Sequence, residues 1–201
     1  MPDYSFEKEK IGSGFNIVAG VDEAGRGPLA GPVCAAAVIL PTDCEIEGLD
    51  DSKKISEKKR ERLYNVIIEK AVSYSIQLVD NSVIDDVNIL NATYIAMTNA
   101  VNNLDIKPDF VLIDGNRQPP ELKISSEAIV KGDSKSMSIA AASILAKVTR
   151  DRFMIELAKK YPEYEFERHK GYGTKLHREK LIEFGPCEIH RRTFLGKIFG
   201  K

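Results

Sequence analysis

Four carboxylates stand where an apolar stretch of the sequence meets a glycine-containing turn: Asp22, Glu23, Asp114 and Asp133. Acidic residues are poor strand formers and are almost never buried without a partner. If the apolar stretches are neighbouring strands of one sheet, the four side chains converge. Their mutual repulsion then raises some of their pKa values unless cations neutralise them.

A cluster of this kind offers hard oxygen ligands and no organised His or Cys, which favours Mg²⁺ or Mn²⁺ over zinc. Two such ions about 3.5–4 Å apart stabilise the attacking and leaving oxygens of an in-line phosphoryl displacement. The chemistry indicated is therefore that of a nuclease or a phosphotransferase. For Asp114 or Asp133 alone, the simpler interpretation is a turn-capping carboxylate, and only the recurrence of the pattern favours a site.

The turn after the first pair contains Gly25, Arg26 and Gly27. Successive strand residues point to opposite faces, so Asp22 and Glu23 serve one site only if the regular strand ends or bulges there. Glycine makes such a break inexpensive and allows a ligand close to the backbone. The Arg26 guanidinium suits phosphate. The alternative interpretation is a β-turn with one surface ion pair.

Residues 21–33 resemble the opening signature of the type 2 ribonucleases H, in particular the bacterial ribonuclease HII family. Five further stretches match the family in the family's order, at 51–54, 112–116, 131–134, 141–151 and 169–173. One such match would be weak because short motifs recur by chance. Six in order, spread over nearly the whole chain, are a specific signal.

The resemblance implies a ribonuclease H-like fold, in which a five-stranded mixed sheet is flanked by helices. It assigns catalysis and the binding of two divalent ions, Mn²⁺ or Mg²⁺, to Asp22, Glu23, Asp114 and Asp133. The implied reaction is cleavage of the RNA strand of an RNA/DNA hybrid, leaving 3′-hydroxyl and 5′-phosphate ends. Nicking of duplex DNA 5′ to a single embedded ribonucleotide is also implied, with roles in DNA repair and in primer processing during replication.

Substrate contacts are implied as well. The backbone of Gly25, Arg26 and Gly27 is expected to contact the RNA–DNA junction, and Tyr172 to pack on the neighbouring deoxyribose. A reader of the 2′-hydroxyl is needed because that group alone separates RNA from DNA at a given nucleotide. Without the resemblance, a loop tyrosine is more often a packing residue.

Basic residues supply the remaining expected contacts. Lys53 and Lys54 resemble phosphate-binding residues near the cleavage site. Five others are expected to follow the duplex backbone without reading sequence: Lys147, Arg150, Lys170, Arg191 and Arg192. The competing interpretation for each is a solvated surface charge.

The pattern of the whole sequence predicts an α/β fold with strands at 17–21, 33–40, 72–79, 110–114 and 128–133. Helices are predicted at 56–70, with Ser56 as N-cap, and at 89–104, 138–160 and 174–184. We expect a catalytic core over residues 1–160. Residues 161–201 are expected to form a small basic helical subdomain packed on that core.

Composition limits the class of protein. The chain has 201 residues, 43% of them apolar, enough for a full core without disulfide or metal support. Three cysteines without zinc-ligand spacing favour a reduced compartment. The amino terminus lacks the apolar segment of a signal peptide, and no apolar run reaches the roughly 20 residues of a membrane span. A cytoplasmic protein without membrane contact is expected.

Charge is unevenly distributed along the chain. Residues 1–146 carry a net charge of −7 and residues 147–201 a net charge of +6. This division suits a protein that binds metal in one place and phosphate in another. A monomer satisfies the sequence. A sliding-clamp tail is possible in residues 194–201, where an apolar helix end packed on the core is an equal interpretation.

Two other classes remain open at this point. A carboxylate-dependent DNA nuclease or integrase on a similar fold would cut all-DNA duplex. A hybrid-binding protein that has lost turnover would bind substrate and release no product, although four intact acids argue against it.

Overall fold

A computed structural model describes residues 1–200 and has one five-stranded sheet at its centre. The strands are β1 (Val18–Ala24), β2 (Val33–Ile39), β3 (Ser73–Val79), β4 (Phe110–Asp114) and β5 (Ser125–Ile129). Their order across the sheet is β3-β2-β1-β4-β5. β1 pairs antiparallel with β2 and parallel with β4. The predicted mixed α/β sheet is confirmed.

Seven α-helices surround the sheet in the described part of the chain. They are α1 (Ser5–Gly12), α2 (Glu57–Lys70), α3 (Asn81–Asn102), α4 (Met137–Lys160), α5 (Phe166–His169), α6 (Lys175–Phe184) and α7 (Gly196–Phe199). α3 covers one face of the sheet and α4 the other, which produces two separate apolar clusters. All seven residues of β2 are buried, as a strand covered on both faces requires.

Gly20 in β1 brings α4 close to the sheet. A Cβ at this position would lie 2.2 Å from the carbonyl carbon of Ser138. Only glycine therefore permits this approach. Because Gly20 and Asp22 are two residues apart and share a strand face, α4 also passes directly over Asp22.

Side-chain caps fix several helix starts. Ser56 accepts a hydrogen bond from the Lys59 amide at 3.3 Å, which confirms the predicted N-cap. Thr174 likewise caps α6, and Ser136 caps α4. The helix expected to begin at 138 thus begins one residue earlier, at Met137.

Other boundaries were predicted wrongly. β1 continues to Ala24, because residues beyond Val21 keep pairing with β2 after pairing with β4 has stopped. β5 lies at Ser125–Ile129, ahead of the predicted run at 128–133. α3 begins at Asn81 and kinks at Asn88, whose side-chain oxygen caps the amides of Leu90 and Asn91.

α1 was not predicted. Its sequence has no apolar stripe, and tertiary contacts hold it instead. The buried carboxylate of Glu7 accepts hydrogen bonds from the Ser136 hydroxyl at 2.7 Å and the Ser138 amide at 2.9 Å. α1 is thereby tied to the start of α4.

Residues after α4 form a third apolar cluster with the end of that helix. Tyr164 and Phe166 pack there against Met154, Ala158 and Ala30. The division at residue 160 into a core and a subdomain remains a prediction. No helix in the described residues 1–200 is long and apolar enough to cross a membrane.

Candidate active site

The site is built where the parallel strands β1 and β4 end side by side. Asp22 and Glu23 lie near the end of β1, and Asp114 is the last residue of β4. Asp114 Oδ1 accepts hydrogen bonds from the amides of Gly132 at 2.7 Å and Asp133 at 3.3 Å. These bonds bring Asp133, which lies in a short 3-10 helix four residues after β5, to the same place.

The strand does not bulge at the acidic pair, contrary to the expectation above. Asp22 and Glu23 stay in register with Ala36 and Ala35 of β2. Asp22 is 3% exposed and lies beside Ser143 of α4. Glu23 faces the other side of the sheet, where it lines a cavity of about 260 Å³ beside α3. The two carboxylates thus meet at the sheet edge from opposite faces.

Crowding shifts the titration of these acids. Burial, and after it the negative charges of Glu23 and Asp114, raises the pKa of Asp22 well above its ordinary value. Burial also raises the pKa of Glu23, against the opposing effect of Arg26. Burial and the charge of Asp114 raise the pKa of Asp133. The predicted like-charge cluster is therefore present.

Two cations accompany the cluster: Arg26, whose guanidinium lies 3.3 Å from the Glu23 carboxylate, and Lys53. Although partial burial acts in the opposite direction, the charges of Asp22, Asp133, Asp51 and Asp114 raise the pKa of Lys53 above its ordinary value. Lys54 lies at the edge of the cluster, beside Asp51. Its ammonium lies 3.5 Å from Asp50 and 3.9 Å from Asp51, and its side chain is 55% exposed.

Sequence reasoning missed three polar residues of the site. Asp51 lies beside Asp133. Ser143 lies beside Asp22 and donates its hydroxyl proton to the Ser52 hydroxyl at 2.9 Å. All three lie inside stretches that match the family, at 51–54 and 141–151, so the signal was available. No property of an isolated Asp or Ser marks it as a neighbour of the four acids.

The donor set fits divalent cations. Five carboxylates lie close together, and the raised pKa values of Asp22, Glu23 and Asp133 reflect a negative charge that a cation would neutralise. Within residues 1–200, no three His, Cys, Asp or Glu side chains already form a metal-binding group.

Two buried arginines hold the loop that follows β1, which we call the glycine loop (residues 25–32). Arg191 donates to the carbonyls of Gly25 at 2.6 Å, Arg26 at 2.9 Å, Gly31 at 2.9 Å and Pro32 at 3.1 Å. Within the glycine loop, Arg26 and Gly27 are exposed whereas Gly25 is buried.

Arg150 completes this arrangement from α4. It donates to the carbonyls of Pro32 at 2.9 Å, Lys170 at 3.0 Å and Ala30 at 3.1 Å. Arg150 and Arg191 are both 0% exposed. The expectation that they follow the duplex backbone is therefore wrong, because their guanidinium donors are used inside the protein.

Tyr172 lies on the neighbouring loop, residues 169–173, and is 40% exposed. The two loops are joined by a hydrogen bond from the Leu29 amide to the Gly171 carbonyl at 2.8 Å. The ring of Tyr172 lies 5.6 Å from the Lys147 ammonium and 5.7 Å from the Arg150 guanidinium. Lys147 is also ion-paired with Asp151 at 2.7 Å.

The remaining predicted cations lie nearer the surface. Lys170 is half-buried, and Arg192 is exposed, with its amide held by Asp85 at 2.8 Å. In the segment 194–201, Phe194 packs against the core and Leu195 is buried, whereas Phe199 is 43% exposed. Lys201 lies outside the described residues.

A mixed sheet with acids on adjacent parallel strands defines a ribonuclease H-like protein. The family model for ribonuclease HII matches residues 19–197, so the chain belongs to the ribonuclease HII family. The ribonuclease HII of Caldicellulosiruptor bescii is 55% identical, covering 97% of this chain and 94% of its own. That of Endomicrobium trichonymphae is 59% identical, covering 95% and 91%. The protein is thus a hydrolase that acts on RNA/DNA hybrids.

Solved structures of ribonucleases H are also similar to this chain. Ribonuclease H2 of Pyrococcus horikoshii OT3 is 32% identical, with a TM-score of 0.74 and coverage of 91% of this chain and 97% of its own. Ribonuclease HII of Archaeoglobus fulgidus, solved as a complex with PCNA, is 27% identical, with a TM-score of 0.73 and coverage of 88% and 94%. Bst-RNase HIII, solved with Mn²⁺, shares 19% identity, with a TM-score of 0.66 and coverage of 84% and 63%, which shows the fold.

Proposed function

We propose that the protein is a divalent-metal-dependent endoribonuclease that cuts the RNA strand of RNA/DNA hybrids and nicks duplex DNA 5′ to a single ribonucleotide. It leaves 3′-hydroxyl and 5′-phosphate ends. The observation that carries this proposal is the convergence of Asp22, Glu23, Asp114 and Asp133 at the adjoining ends of β1 and β4. A surface-exposed cluster of acids would not show the burial and mutual pKa effects seen here.

In this proposal, Asp22, Glu23, Asp114 and Asp133 hold two ions, Mg²⁺ or Mn²⁺. When bound, such ions act as Lewis acids that stabilise the attacking and leaving oxygens of an in-line displacement. Lys53, already placed among the acids, balances their charge and contacts a non-bridging phosphate oxygen. Asp51 lies beside Asp133 and Ser143 lies beside Asp22, and in this proposal each helps to orient its neighbour.

Recognition of the ribonucleotide is proposed for the surface formed by the glycine loop and Tyr172. Arg26 and Gly27 are exposed beside the buried Gly25, and the backbone of these three residues is proposed to contact the sugar edge. The exposed Tyr172 ring packs on the deoxyribose that follows the ribonucleotide. A ring without a 2′-hydroxyl allows closer contact with an aromatic face, which favours the RNA–DNA junction.

Lys54 and Lys147 are proposed to bind backbone phosphates near this surface. Ribonucleotide removal, primer processing, a cytoplasmic location and a monomeric state remain predictions consistent with the family. Clamp binding by the segment 194–201 is supported by two observations. Phe199 is exposed at the end of the chain, and the Archaeoglobus fulgidus relative was solved with PCNA.

The decisive experiment uses end-labelled DNA duplex carrying one ribonucleotide, an all-DNA duplex and a long hybrid, each with Mg²⁺, Mn²⁺ or chelator. We expect one metal-dependent nick 5′ to the ribonucleotide, cleavage of the hybrid and no cleavage of the all-DNA control. Cleavage of all three would support a DNA nuclease. Binding without product would support an inactive hybrid-binding protein.

A further inference from the structure

A buried pair of histidines lies directly behind Tyr172. His177, in the first turn of α6, and His190 are both 0% exposed. Their Nε2 atoms are 3.0 Å apart. Two ring nitrogens can form this hydrogen bond only if one carries a proton and the other does not, so the contact fixes a relation between their tautomers.

The surrounding backbone decides which ring donates. The Cys187 amide donates to His190 Nδ1 at 3.0 Å, so that nitrogen is an acceptor and the proton of His190 lies on Nε2. His177 Nε2 therefore accepts, and the proton of His177 lies on Nδ1. That Nδ1–H donates to the backbone carbonyl of Tyr172 at 3.0 Å.

Burial supports this arrangement, because it requires uncharged rings. Burial, and after it the neighbouring imidazoles, lowers the pKa of His177 to about 4 and of His190 to about 3. Both are neutral near pH 7. The chain of donors from the Cys187 amide to the Tyr172 carbonyl is then complete, and the Cys187 sulfur lies 3.1 Å from the same His190 Nδ1.

A third histidine holds the other side of the same loop. His169 Nδ1 accepts from the Gly171 amide at 3.2 Å, and its Nε2 bonds the Tyr164 carbonyl at 2.9 Å. The ring of His169 stacks on that of His177 with centroids 4.3 Å apart. The loop backbone is thus fixed on both sides of Tyr172, whose side chain has no such fixed contact beyond the cations beneath it.

We propose that His177 is a positioning residue for Tyr172 and that His190 sets the tautomer His177 needs. The Tyr172 carbonyl accepts from the Thr174 amide at 2.8 Å and from His177 at 3.0 Å. The His177 bond is the one that ties this carbonyl to the buried histidines, and through it His177 orients the exposed ring toward the sugar beyond the ribonucleotide. This inference rests on the proposed function of Tyr172. Its expected consequence is selective: cleavage at a lone ribonucleotide depends on His177 more than cleavage of a long hybrid does.

Two substitutions at one position separate the hydrogen bond from packing. In His177→Asn the side-chain amide nitrogen takes the place of Nδ1 and still donates to Tyr172, while the contact with His190 is lost. In His177→Gln the longer amide reaches the Nε2 position and bonds His190, while the bond to Tyr172 is lost. Each variant breaks one of the two bonds, so both should lower the unfolding temperature by similar amounts.

The measured quantity is kcat/KM on the single-ribonucleotide duplex divided by kcat/KM on the long hybrid. We expect His177→Gln to lower this ratio about tenfold, the effect of one hydrogen bond, and His177→Asn to retain most of it. Tyr172→Ala should lower the ratio by itself. In the Tyr172→Ala background, His177→Gln should have no further effect, because the two act through one contact.

The possible outcomes are distinct. Equal ratios in the two His177 variants, or a full His177→Gln effect in the Tyr172→Ala background, would overturn the positioning role. A wild-type enzyme that cuts hybrid and ignores the lone ribonucleotide would instead overturn the proposed junction function, before any variant is compared.

Discussion

Asp114 has two tasks at the end of β4: it is a proposed cation ligand, and its Oδ1 binds the amides of Gly132 and Asp133. Asp114→Asn keeps an oxygen for those amides and removes the charge. We therefore expect an intact fold and a loss of cleavage of more than about 100-fold, since even outer-shell partners of metal ligands cost 10–100-fold. Steady-state cleavage of a hybrid measures this.

Asp105→Asn is the matched control. Asp105 is an exposed carboxylate in the connection before β4, at the opposite end of that strand from Asp114. Its substitution should leave both activity and stability unchanged. Near-normal activity of Asp114→Asn would remove this residue from the catalytic cluster.

The crowded acids also predict a response to metal. Mn²⁺ binding to the folded state should raise the unfolding temperature, because a ligand that binds only the native state stabilises it. Without metal, Asp114→Asn should be at least as stable as wild type, since a neighbour of Asp22 has lost its charge. Calorimetry with Mn²⁺ and with chelator tests both statements. An unfolding temperature of the wild type that does not rise with Mn²⁺ would contradict the first statement, and a variant less stable than wild type in chelator would contradict the second.

Individual residues differ in how far the sequence predicted them. The four acids were predicted because one pattern, an apolar strand ending in acid and glycine, recurs. Arg150 and Arg191 were assigned to the surface because arginine is rarely buried. Their actual partners are backbone carbonyls distant in sequence, such as Gly25 for Arg191. No local pattern carries that information.

Among the structural elements, the glycine loop allows a test of how tightly it packs against Arg150. Gly25 has a φ of +96°, and a Cβ there would lie 2.0 Å from Arg150 Nε. At Gly27 a Cβ would meet nothing within 4 Å. Gly25→Ala should therefore destabilise the fold by at least about 2 kcal/mol, through strain and overpacking. Gly27→Ala should leave stability close to wild type.

Chemical denaturation of the two variants measures this difference. Gly27→Ala is also informative for function, because a methyl group on the exposed loop would hinder a sugar edge without weakening the fold. Equal stability of the two variants would show that the loop can relax away from Arg150.

Helices and strands were predicted well where the local sequence determines them, and poorly where contacts with distant residues determine their bounds. The Ser56 cap and the apolar run of β2 confirm the first statement. β1 is longer than predicted because its acidic end still pairs with β2, which no single-strand pattern records. α1 depends on the buried Glu7, whose partners lie about 130 residues away.

For the whole molecule, the buried histidines predict a dependence of stability on acidity. In the unfolded chain, histidines take up protons near pH 6.5, whereas folded His177 and His190 resist until about pH 4 and about pH 3. The stability that the two neutral histidines contribute to the folded state is fully present above pH 6.5 and is lost as the pH falls toward 4. Over this range the free energy of unfolding falls by about 1 kcal/mol per pH unit for each histidine.

Other groups titrate in the opposite sense. Asp22, Glu23 and Asp133, whose pKa values are raised by folding, favour the folded state as the pH falls. The acids titrate alike in the wild type and in His190→Gln, so their effect cancels when the two proteins are compared. The free energy of unfolding, measured with urea between pH 7 and pH 5, should depend less steeply on pH in the variant. Parallel curves would mean that the histidines titrate normally in the folded protein.

The charge division along the chain has a partly different meaning from the one the sequence predicted. Residues 147–201 carry the excess of positive charge, which was interpreted as a phosphate-binding surface. Two of those charges, Arg150 and Arg191, lie inside the protein and organise the glycine loop. Summed charge does not distinguish a binding surface from internal support.

The bond between Arg191 and the Arg26 carbonyl spans 165 residues. At the 5–20 residues per second of protein synthesis, Arg191 is made roughly 10–30 s after the loop it supports. During that interval a nascent chain has the acids of β1 and lacks the support of the adjacent loop. The surface proposed to contact the ribonucleotide is therefore completed only late in the synthesis of each molecule.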